Sequence, residues 1–507
     1  MSGRYIIAID QNHDGTFLDL EEDLAASVLE LKWRLGLRQP YDSMADYGTA
    51  QIALRNVRGR FSPERKRLEI GTRVQIACED GRQRVTLFTG FIKQVTVEAG
   101  DWGEGQSVVQ VQDIQPWLEA SPARLSPISK VSADVVIDRL LDRALVRRPA
   151  VAGYCIIDVP GHDLIDSVRV FPSQHLARRL QAGKTRFPYV GDWWGEATSI
   201  RAAIRDLAES ERGRFYIDRA GDAVFLNRHQ TLVSDRLSAT FDNDMEGMAY
   251  AYGDQHINRF TLRMTPREVG TGGTVLWRLA RAERIGARTG LVLSLHFTDE
   301  LGRPVGLLEF ERLQAAFHRD ETGGSGPIRE QVSARIIEIG FTSLLARLEN
   351  NSARDVFLTE LLVIGKPLYR RDPLELTLSD GAGIHLNGLR HVTQDLPALS
   401  DMATARAFAS YELTRRKQPA GTVRELWLDA RQHPSARRLS LFDRIRISET
   451  RTGHQNQEYF IIGEEHRVSQ GGARHEIRWT LEPADQSRFV VIGDSVIDDR
   501  DALIAPY

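Results

Sequence analysis

Apolar and polar residues alternate with a period of two through much of the first part of the chain. The alternation is clearest in the segments 5–9, 28–35, 49–54 and 85–97, and glycines lie between the segments. A period of two between turn residues is typical of β-strands, because successive side chains of a strand point to opposite faces. Short strands at this density predict a small antiparallel barrel or sandwich.

Two later segments, 129–145 and Ser199 to Glu211, instead carry apolar residues at helical spacing. The apolar stripe of the second segment consists of Ile200, Ala203, Ile204 and Leu207. On this helix Arg201, Arg205 and Glu209 are expected to face water, and Gly213 is expected to end the helix. Residues 214–227 then predict a β-hairpin, so the middle of the chain is expected to be mixed α+β.

Strand-like alternation returns after this hairpin. It runs through 249–264 and continues in 275–365, where glycine-rich and asparagine-rich turns separate the strands. A helix is predicted over 397–417 with Asp401 as its N-cap, and further strands are predicted over 423–481. The last group is expected to form a second small barrel.

The length of the chain requires several domains, because single hydrophobic cores stop growing at roughly 250–300 residues and this chain has 507. The patterns predict a mainly β protein with two small β-barrels, an α+β middle domain and an inserted β-sandwich-like domain. The predicted division is an N-terminal barrel (1–118), an α+β domain (119–236), a second barrel with a helix (237–274 and 366–485), the inserted domain (275–365) and a C-terminal tail (486–507).

The composition of the chain mainly excludes certain partners and certain kinds of structure. Acidic and basic residues nearly cancel at 69 against 66, so the net charge of −3 predicts no general attraction to nucleic acid or membrane. Cys78 and Cys155 are the only cysteines, which excludes a disulfide framework. No run approaches the roughly 18 apolar residues of a membrane-spanning helix, and the first residues do not resemble a signal peptide. Synthesis in a bacterial cytoplasm is therefore expected.

The residues after the first strand match the spacing of a calcium-binding loop. Oxygen-bearing side chains occur at alternate positions, a glycine stands sixth and a glutamate twelfth, as a tightly wrapped hard cation requires. The ligands would be Asp10, Asn12, Asp14, Thr16 and Glu21. Because a strand rather than a helix precedes the loop, a plain polar turn is the alternative interpretation. Either role is structural.

Trp193 and Trp194 are the second candidate for binding. Aromatic rings stack on the apolar faces of sugars, so this pair could bind a glycan, and the alternative is a packed corner between domains. Known catalytic patterns are absent from the sequence: it has no GxSxG, Walker or HExxH motif and no metal-like cluster among its 13 histidines. The sequence therefore predicts a protein without catalytic activity.

Several segments, in this order along the chain, resemble the tail-tip hub proteins of bacteriophages, also called minor tail or baseplate hub proteins. The residues that carry the resemblance are the strand Val28 to Arg34, "GTAQIALRN" at 48–56, "GRFSP" at 59–63, "LFTGFI" at 87–92, the helix and hairpin at 199–228, "INR" at 257–259 and "GEEH" at 463–466. The matches are spread over most of the chain.

The resemblance implies a structural hub built from two barrels and accessory domains, a homotrimer that forms a ring between the tail tube and the tip. Its implied partners are copies of itself, a distal tail or tube protein, a tape-measure protein and tip fibre or receptor-binding proteins. It implies a location at the tail tip of the virion, with DNA only passing through the assembled lumen. A glycan-binding receptor protein and a tail-borne cell-wall or polysaccharide hydrolase are the alternative functions.

Overall fold

Six strands at the start of the chain have the buried and exposed residues that the period of two predicts. They are β1 (Arg4–Asp10), β2 (Val28–Gly36), β3 (Thr49–Arg55), β4 (Arg73–Asp80), β5 (Gln83–Glu98) and β6 (Gln106–Gln112). In β2, Leu31, Trp33 and Leu35 are buried, whereas Lys32 between them is exposed. The six strands are antiparallel neighbours in the order β1-β4-β5-β6-β3-β2.

The fold is that of a computed structural model. It describes residues 4–10, 17, 25–65, 68–80, 83–98, 105–123, 125, 128–144, 177–191, 193–194, 198–233, 236–299, 301–485, 489–490 and 503–504. Of the predicted calcium ligands, only Asp10 belongs to these residues, so Asn12, Asp14, Thr16 and Glu21 lie outside the described part.

The middle of the chain is mixed α+β. Its elements are α1 (Gln115–Ala120), β7 (Ile128–Val131), α2 (Ala133–Arg143), β8 (Arg178–Leu180), β9 (Phe187–Val190), α3 (Ile200–Glu211), β10 (Arg214–Ile217), β11 (Ala223–Leu226) and α4 (Gln230–Val233). The predicted helix α3 is confirmed, and the Ser199 hydroxyl accepts a hydrogen bond from the Ala202 backbone N–H at 3.0 Å. The left-handed residue that ends α3 is Arg212, one residue before the predicted Gly213. The predicted hairpin is confirmed as β10 and β11.

Three strands follow, β12 (Leu237–Asp242), β13 (Gly247–Tyr252) and β14 (Arg259–Met264), before a unit of two sheets. That unit comprises β15 (Arg267–Val269), β16 (Thr274–Arg278), β17 (Glu283–Ile285), β18 (Thr289–His296), β19 (Gly306–His318), β20 (Val332–Ile339), β21 (Ser343–Asn350) and β22 (Val356–Arg370). The long strand β22 pairs with β15, β16, β17 and β19, and β21 lies between β18 and β20. Residues of both sheets share one apolar core, which includes Leu295, Leu344 and Val363.

Another small sheet carries the last long helix. Its elements are β23 (Leu374–Ser379), α5 (Gly381–Asn387), β24 (His391–Leu396) and α6 (Met402–Arg416), and the sheet order is β23-β14-β24. The predicted cap of α6 is confirmed, since the Asp401 carboxylate accepts a hydrogen bond from the Thr404 backbone N–H at 2.7 Å. Phe408 of α6 packs against Phe260 and Leu262 of β14 in a separate core.

The remaining strands complete the large sheet. They are β25 (Gly421–Asp429), β26 (Arg444–Glu449), β27 (His454–Ser469) and β28 (Arg474–Pro483), followed by the short pair β29 (Phe489–Val490) and β30 (Leu503–Ile504). Strand β2 pairs with β27, which gives a continuous sheet of 12 strands with one core. The strands that the sequence assigned to two barrels are therefore hydrogen-bonded to each other.

Two glycines allow β2 and β27 to approach closely. Gly36 has a φ of +94°, and a Cβ atom on it would lie 2.3 Å from the carbonyl oxygen of Ile462. A Cβ atom on the facing Gly463 would lie 2.5 Å from the carbonyl oxygen of Leu37. The mainly β fold class predicted from the sequence is confirmed. No helix among the described residues is long and apolar enough to span a membrane.

Candidate assembly surfaces and buried junctions

A buried polar cluster joins the β10–β11 hairpin to the large sheet. Arg219, in the turn of the hairpin, donates hydrogen bonds to both carboxylate oxygens of Glu464 at 2.7 and 2.5 Å. It donates a third bond to the backbone carbonyl of Arg437 at 2.7 Å. The Glu464 side chain is 0% exposed. Burial alone raises the pKa of the Glu464 carboxyl, but the positive charge of Arg219 and the contact with His466 lower it to about 2.

Two histidines continue this cluster inside the sheet. Nδ1 of His466 lies 2.9 Å from Nε2 of His475, and Nδ1 of His475 lies 2.6 Å from the Tyr5 hydroxyl. The Trp33 indole stacks on the His466 ring with 4.7 Å between ring centres. Burial lowers the pKa of both imidazoles, that of His475 well below its usual value. We call Tyr5, Arg219, Glu464, His466 and His475 the histidine cluster.

A second set of buried ion pairs joins α3 and β10 to α6 and β28. Arg212, at the end of α3, forms an ion pair with Glu412 of α6, whose side chain is 4% exposed. Arg214 donates hydrogen bonds to both carboxylate oxygens of Glu482 at 2.9 and 3.1 Å. The backbone N–H of Tyr41 also donates to Glu482, at 2.6 Å. These pairs tie the middle of the chain to the elements that follow it.

The prediction for Arg201 is wrong. This side chain is 8% exposed rather than solvated, and its guanidinium lies over the Tyr47 ring at 4.7 Å. It donates to the Gln115 side-chain oxygen and to the Ala45 carbonyl, both at 3.2 Å. Arginine can satisfy its donors inside a protein in this way because its planar head both stacks and hydrogen-bonds.

Trp193 and Trp194 lie in a packed corner beside α3. Both indole N–H groups donate to one carboxylate oxygen of Asp206, at 2.6 and 3.3 Å. Trp194 is 4% exposed, and the Arg267 guanidinium lies 5.0 Å from the centre of the Trp193 ring. These are the contacts that the packed-corner interpretation predicts. Glycan stacking stays a prediction. Trp193 is the more exposed of the two rings, so it is the ring that could stack on a sugar.

Glu209 lies one turn after Asp206 on α3 and is partly buried, so the prediction that it faces water is wrong. Burial raises the pKa of its carboxyl to about 7, and the charge of Asp206 adds to the rise. A carboxyl whose pKa is raised in the folded state contributes stability below its unfolded value of 4.5, and this contribution is lost as the pH rises through about 7. The charged form of Glu209 therefore destabilises the fold in weak alkali.

Replacing Glu209 by glutamine should stabilise the protein at pH 8 by roughly 1–3 kcal/mol and have little effect at pH 4.5. The glutamine keeps the shape of the side chain but does not ionise. Melting temperatures at the two pH values check this expectation, and Glu321→Gln, on an exposed loop, is the matched control. Equal effects of Glu209→Gln at both pH values would contradict it.

The large sheet has an open edge at β13. Among the described residues β13 pairs only with β25, which leaves its other side without a neighbouring strand. Its sequence from Gly247 to Tyr252 contains no charged residue and no proline, the residues that commonly protect edge strands. Tyr252 is 72% exposed at the end of this strand. An edge of this kind is suited to adding a further strand.

The outward face of the large sheet carries pairs of opposite charge across neighbouring strands. Glu30 lies 2.7 Å from the Lys32 ammonium and 2.6 Å from the Arg467 guanidinium. Arg478 of β28 lies 2.6 Å from Glu425 of β25. Gln51 of β3 and Gln110 of β6 continue the same face with uncharged side chains. The face is polar, and its charges are largely balanced.

Within the described ranges, no group of three or more histidine, cysteine, aspartate or glutamate side chains is placed to hold a metal ion. Of the predicted calcium ligands, Asp10 ends β1 and is 4% exposed. Calcium binding by this loop stays a prediction, because the other four ligands lie outside the described residues.

Comparison with known proteins gives matches among solved structures alone, since no protein-family model and no curated protein matches the sequence. The 43 kDa tail protein of prophage MuSo2 from Shewanella oneidensis is 8% identical, with a TM-score of 0.48 over 95% of this chain and 98% of that chain. A tail protein from Neisseria meningitidis MC58 is 9% identical, with a TM-score of 0.48 over 94% and 96% of the two chains. The E. coli protein c3393, a component of the type VI secretion system, is 8% identical, with a TM-score of 0.36 over 91% and 74%. The first two are named as tail proteins, and the first of them is from a prophage.

The buried ion pairs were not predicted, although the sequence contains part of the pattern that indicates them. In β27 the residues Glu464 and His466 alternate in phase with buried Val468, and in β28 His475 is in phase with buried Ile477. This phase places three titratable side chains on the apolar face of the sheet. Arg219 gave no such signal, because its turn has the composition of an ordinary exposed loop.

Proposed function

We propose that this chain is a structural hub at the tip of a phage or phage-like tail, where copies of it form a ring that joins the tail tube to tip or fibre proteins. The sequence resemblance supports the tail role, and the open edge of β13 is the observation that supports self-assembly. A strand added to this edge would continue the large sheet into a neighbouring copy. Contacts that repeat head to tail in this way close into a ring when the rotation allows.

The buried junctions support a mechanical role. The histidine cluster and the pairs Arg212–Glu412 and Arg214–Glu482 connect elements from the beginning, middle and end of the chain. A hub has to transmit force between a tube and a tip, and side chains paired in the interior resist relative movement of the units they connect. No chemical step is part of this proposal.

The outward face of the large sheet fits a channel wall. Its balanced pairs and glutamines offer little net attraction to the phosphates of DNA, whose binding to proteins depends on released counterions and clustered cations. In the proposed ring, DNA would pass this face without being retained. The further partners that we propose are a distal tail or tube protein, a tape-measure protein and tip fibre or receptor-binding proteins.

Light scattering after size exclusion tests the assembly. We expect a mass of three times the 57.1 kDa chain for the wild type. Tyr252→Lys places a charge on the open edge and should weaken assembly by about tenfold or more, which favours monomers. Leu301→Lys, at a residue that is 77% exposed in the turn between β18 and β19, is the control and should leave the mass unchanged. A wild type that stays monomeric at all concentrations would count against self-assembly.

Calcium in the loop that follows β1 would be a structural addition to this hub. Asp14→Ala removes a proposed ligand, so it should lower the melting temperature by a few degrees in calcium and leave it unchanged in a chelator. Thermal melts of both proteins in both solutions measure this. A loss of the same size in calcium and in chelator would show that Asp14 serves only the turn.

A further inference from the structure

Glu464 has two basic neighbours at different distances. Arg219 is its bidentate partner at 2.7 and 2.5 Å. His466 lies on the other side, with its Nε2 atom 3.7 Å from the second carboxylate oxygen, which is too long for a hydrogen bond. The His466 side chain is 0% exposed, and this Nε2 atom has no hydrogen-bond partner. The buried Nε2 atom of His466 therefore lies close to the Glu464 carboxylate, which is already paired with Arg219.

The remaining contacts of the histidine cluster hold both rings neutral. The Tyr5 hydroxyl can donate to Nδ1 of His475, and Nε2–H of His475 can donate to Nδ1 of His466. This arrangement leaves the only proton of His466 on Nε2, where it points at Glu464. A second proton on His466 binds at Nδ1, so His475 must then carry its own proton on Nδ1 and donate it to the Tyr5 hydroxyl, because two N–H groups would otherwise face each other across the 2.9 Å contact. For the same reason both rings cannot be protonated together. The cluster can take up one further proton.

Charged and titratable groups surround the histidine pair from several elements. They are Tyr5 of β1, Cys78 of β4, Arg219 of the hairpin turn, Arg437 of the segment before β26, and Glu464 and Glu465 of β27. While Arg219 is bound to Glu464, the positive charges of Arg219 and Arg437 oppose protonation of the two histidines. The negative charge of Glu464 is then already balanced by Arg219. If Arg219 leaves, Glu464 becomes an unpaired buried carboxylate next to His466, and such a charge strongly favours a nearby cation.

We propose that Glu464 exchanges partners in acid: a proton bound by His466 replaces Arg219, and the turn of the β10–β11 hairpin that carries Arg219 is released from the large sheet. The strands of the hairpin stay in place, held by Arg214–Glu482 and by Tyr216, Val224 and Leu226 in the core. In the closed state Glu464 is paired with Arg219 and both histidines are neutral. In the open state Glu464 is paired with protonated His466, and the Arg219 guanidinium is in water. The exchange consumes one proton and leaves neither Glu464 nor His466 as a buried charge without a partner.

Hydrogen exchange of the Arg219 Nε–H group, which donates to Glu464 in the closed state, tests the proposal on the full chain. After correction for intrinsic rates, the opening equilibrium of the hairpin turn in the wild type should rise by up to about tenfold for each pH unit below about 6.5, since one proton is taken up. His466→Gln removes the proton acceptor and should abolish this dependence. His385→Gln, at an exposed histidine of α5, is the matched control and should behave like the wild type.

Two results would overturn the proposal. One is a wild-type hairpin turn whose opening does not increase between pH 7 and pH 5, and the other is an unchanged pH dependence in His466→Gln. If His466→Gln fails to fold, the test is made on the wild type instead, by following the NMR signals of its isotope-labelled histidine rings as the pH is lowered. His466 should gain its proton together with opening of the hairpin turn, and titration near the ordinary pKa without opening would contradict the exchange.

Discussion

Replacing Arg219 by methionine should destabilise the protein by about 3–5 kcal/mol at pH 8, above the range in which His466 is proposed to take up a proton, because it leaves the Glu464 carboxylate buried without a cation. The two side chains are 9% and 0% exposed, so water cannot take the place of the lost guanidinium. Urea unfolding followed by tryptophan fluorescence measures the loss, since Trp33 stacks inside the same cluster.

Two further variants show whether burial of the charges causes the expected loss of stability. Arg219→Met combined with Glu464→Leu removes both charges and should recover much of the lost stability, as replacement of a whole buried pair often does. Arg424→Met breaks the pair Arg424–Asp254, whose arginine side chain is 51% exposed, and should cost less than about 1 kcal/mol. Similar losses for Arg219→Met and Arg424→Met would contradict this account.

Substituting alanine for Gly36 should destabilise the protein by about 2–5 kcal/mol, from left-handed backbone strain and from a steric clash. The added Cβ would lie 2.3 Å from the Ile462 carbonyl oxygen and 2.9 Å from Cα of Gly463, so β2 and β27 would have to separate. Thermal and urea unfolding measure the effect, and separation of the strands should also increase hydrogen exchange along β2.

Gly71→Ala is the matched control for this substitution. Gly71 has a similar φ of +88°, but nothing lies within 4 Å of the position that its Cβ would take. It should therefore show only the backbone cost of about 1–2 kcal/mol. If Gly36→Ala and Gly71→Ala had equal effects, the close approach of β2 and β27 would not be important for stability.

Local features of the fold could be predicted from the sequence because short-range chemistry determines them. Asp401 caps α6, and the turn at 218–222 joins β10 and β11, since each depends on residues a few positions apart. The pairing of β2 with β27 could not be predicted in this way. It joins strands from opposite ends of the chain, and one sequence contains no local signal for such a partner.

The buried charges show a second limit of sequence reasoning. Arg201 was placed toward water because arginine is usually exposed, yet its stacking on Tyr47 and its hydrogen bonds to Gln115 and Ala45 make burial favourable. These partners come from other elements, so burial follows from tertiary contacts rather than from helical spacing. The same holds for Arg219, whose partner Glu464 lies on β27.

The pairing of β2 with β27 also has a consequence for synthesis of the chain. Strand β2 is made early, but Gly463, which pairs with Gly36, leaves the ribosome roughly 400 residues later. At about 5–20 residues per second, this interval lasts roughly 20–80 s. During that time one side of β2 lacks its final neighbour and is open to pairing with other nascent chains. Production of this protein at high level should therefore depend on chaperones that protect the N-terminal strands until translation is nearly finished.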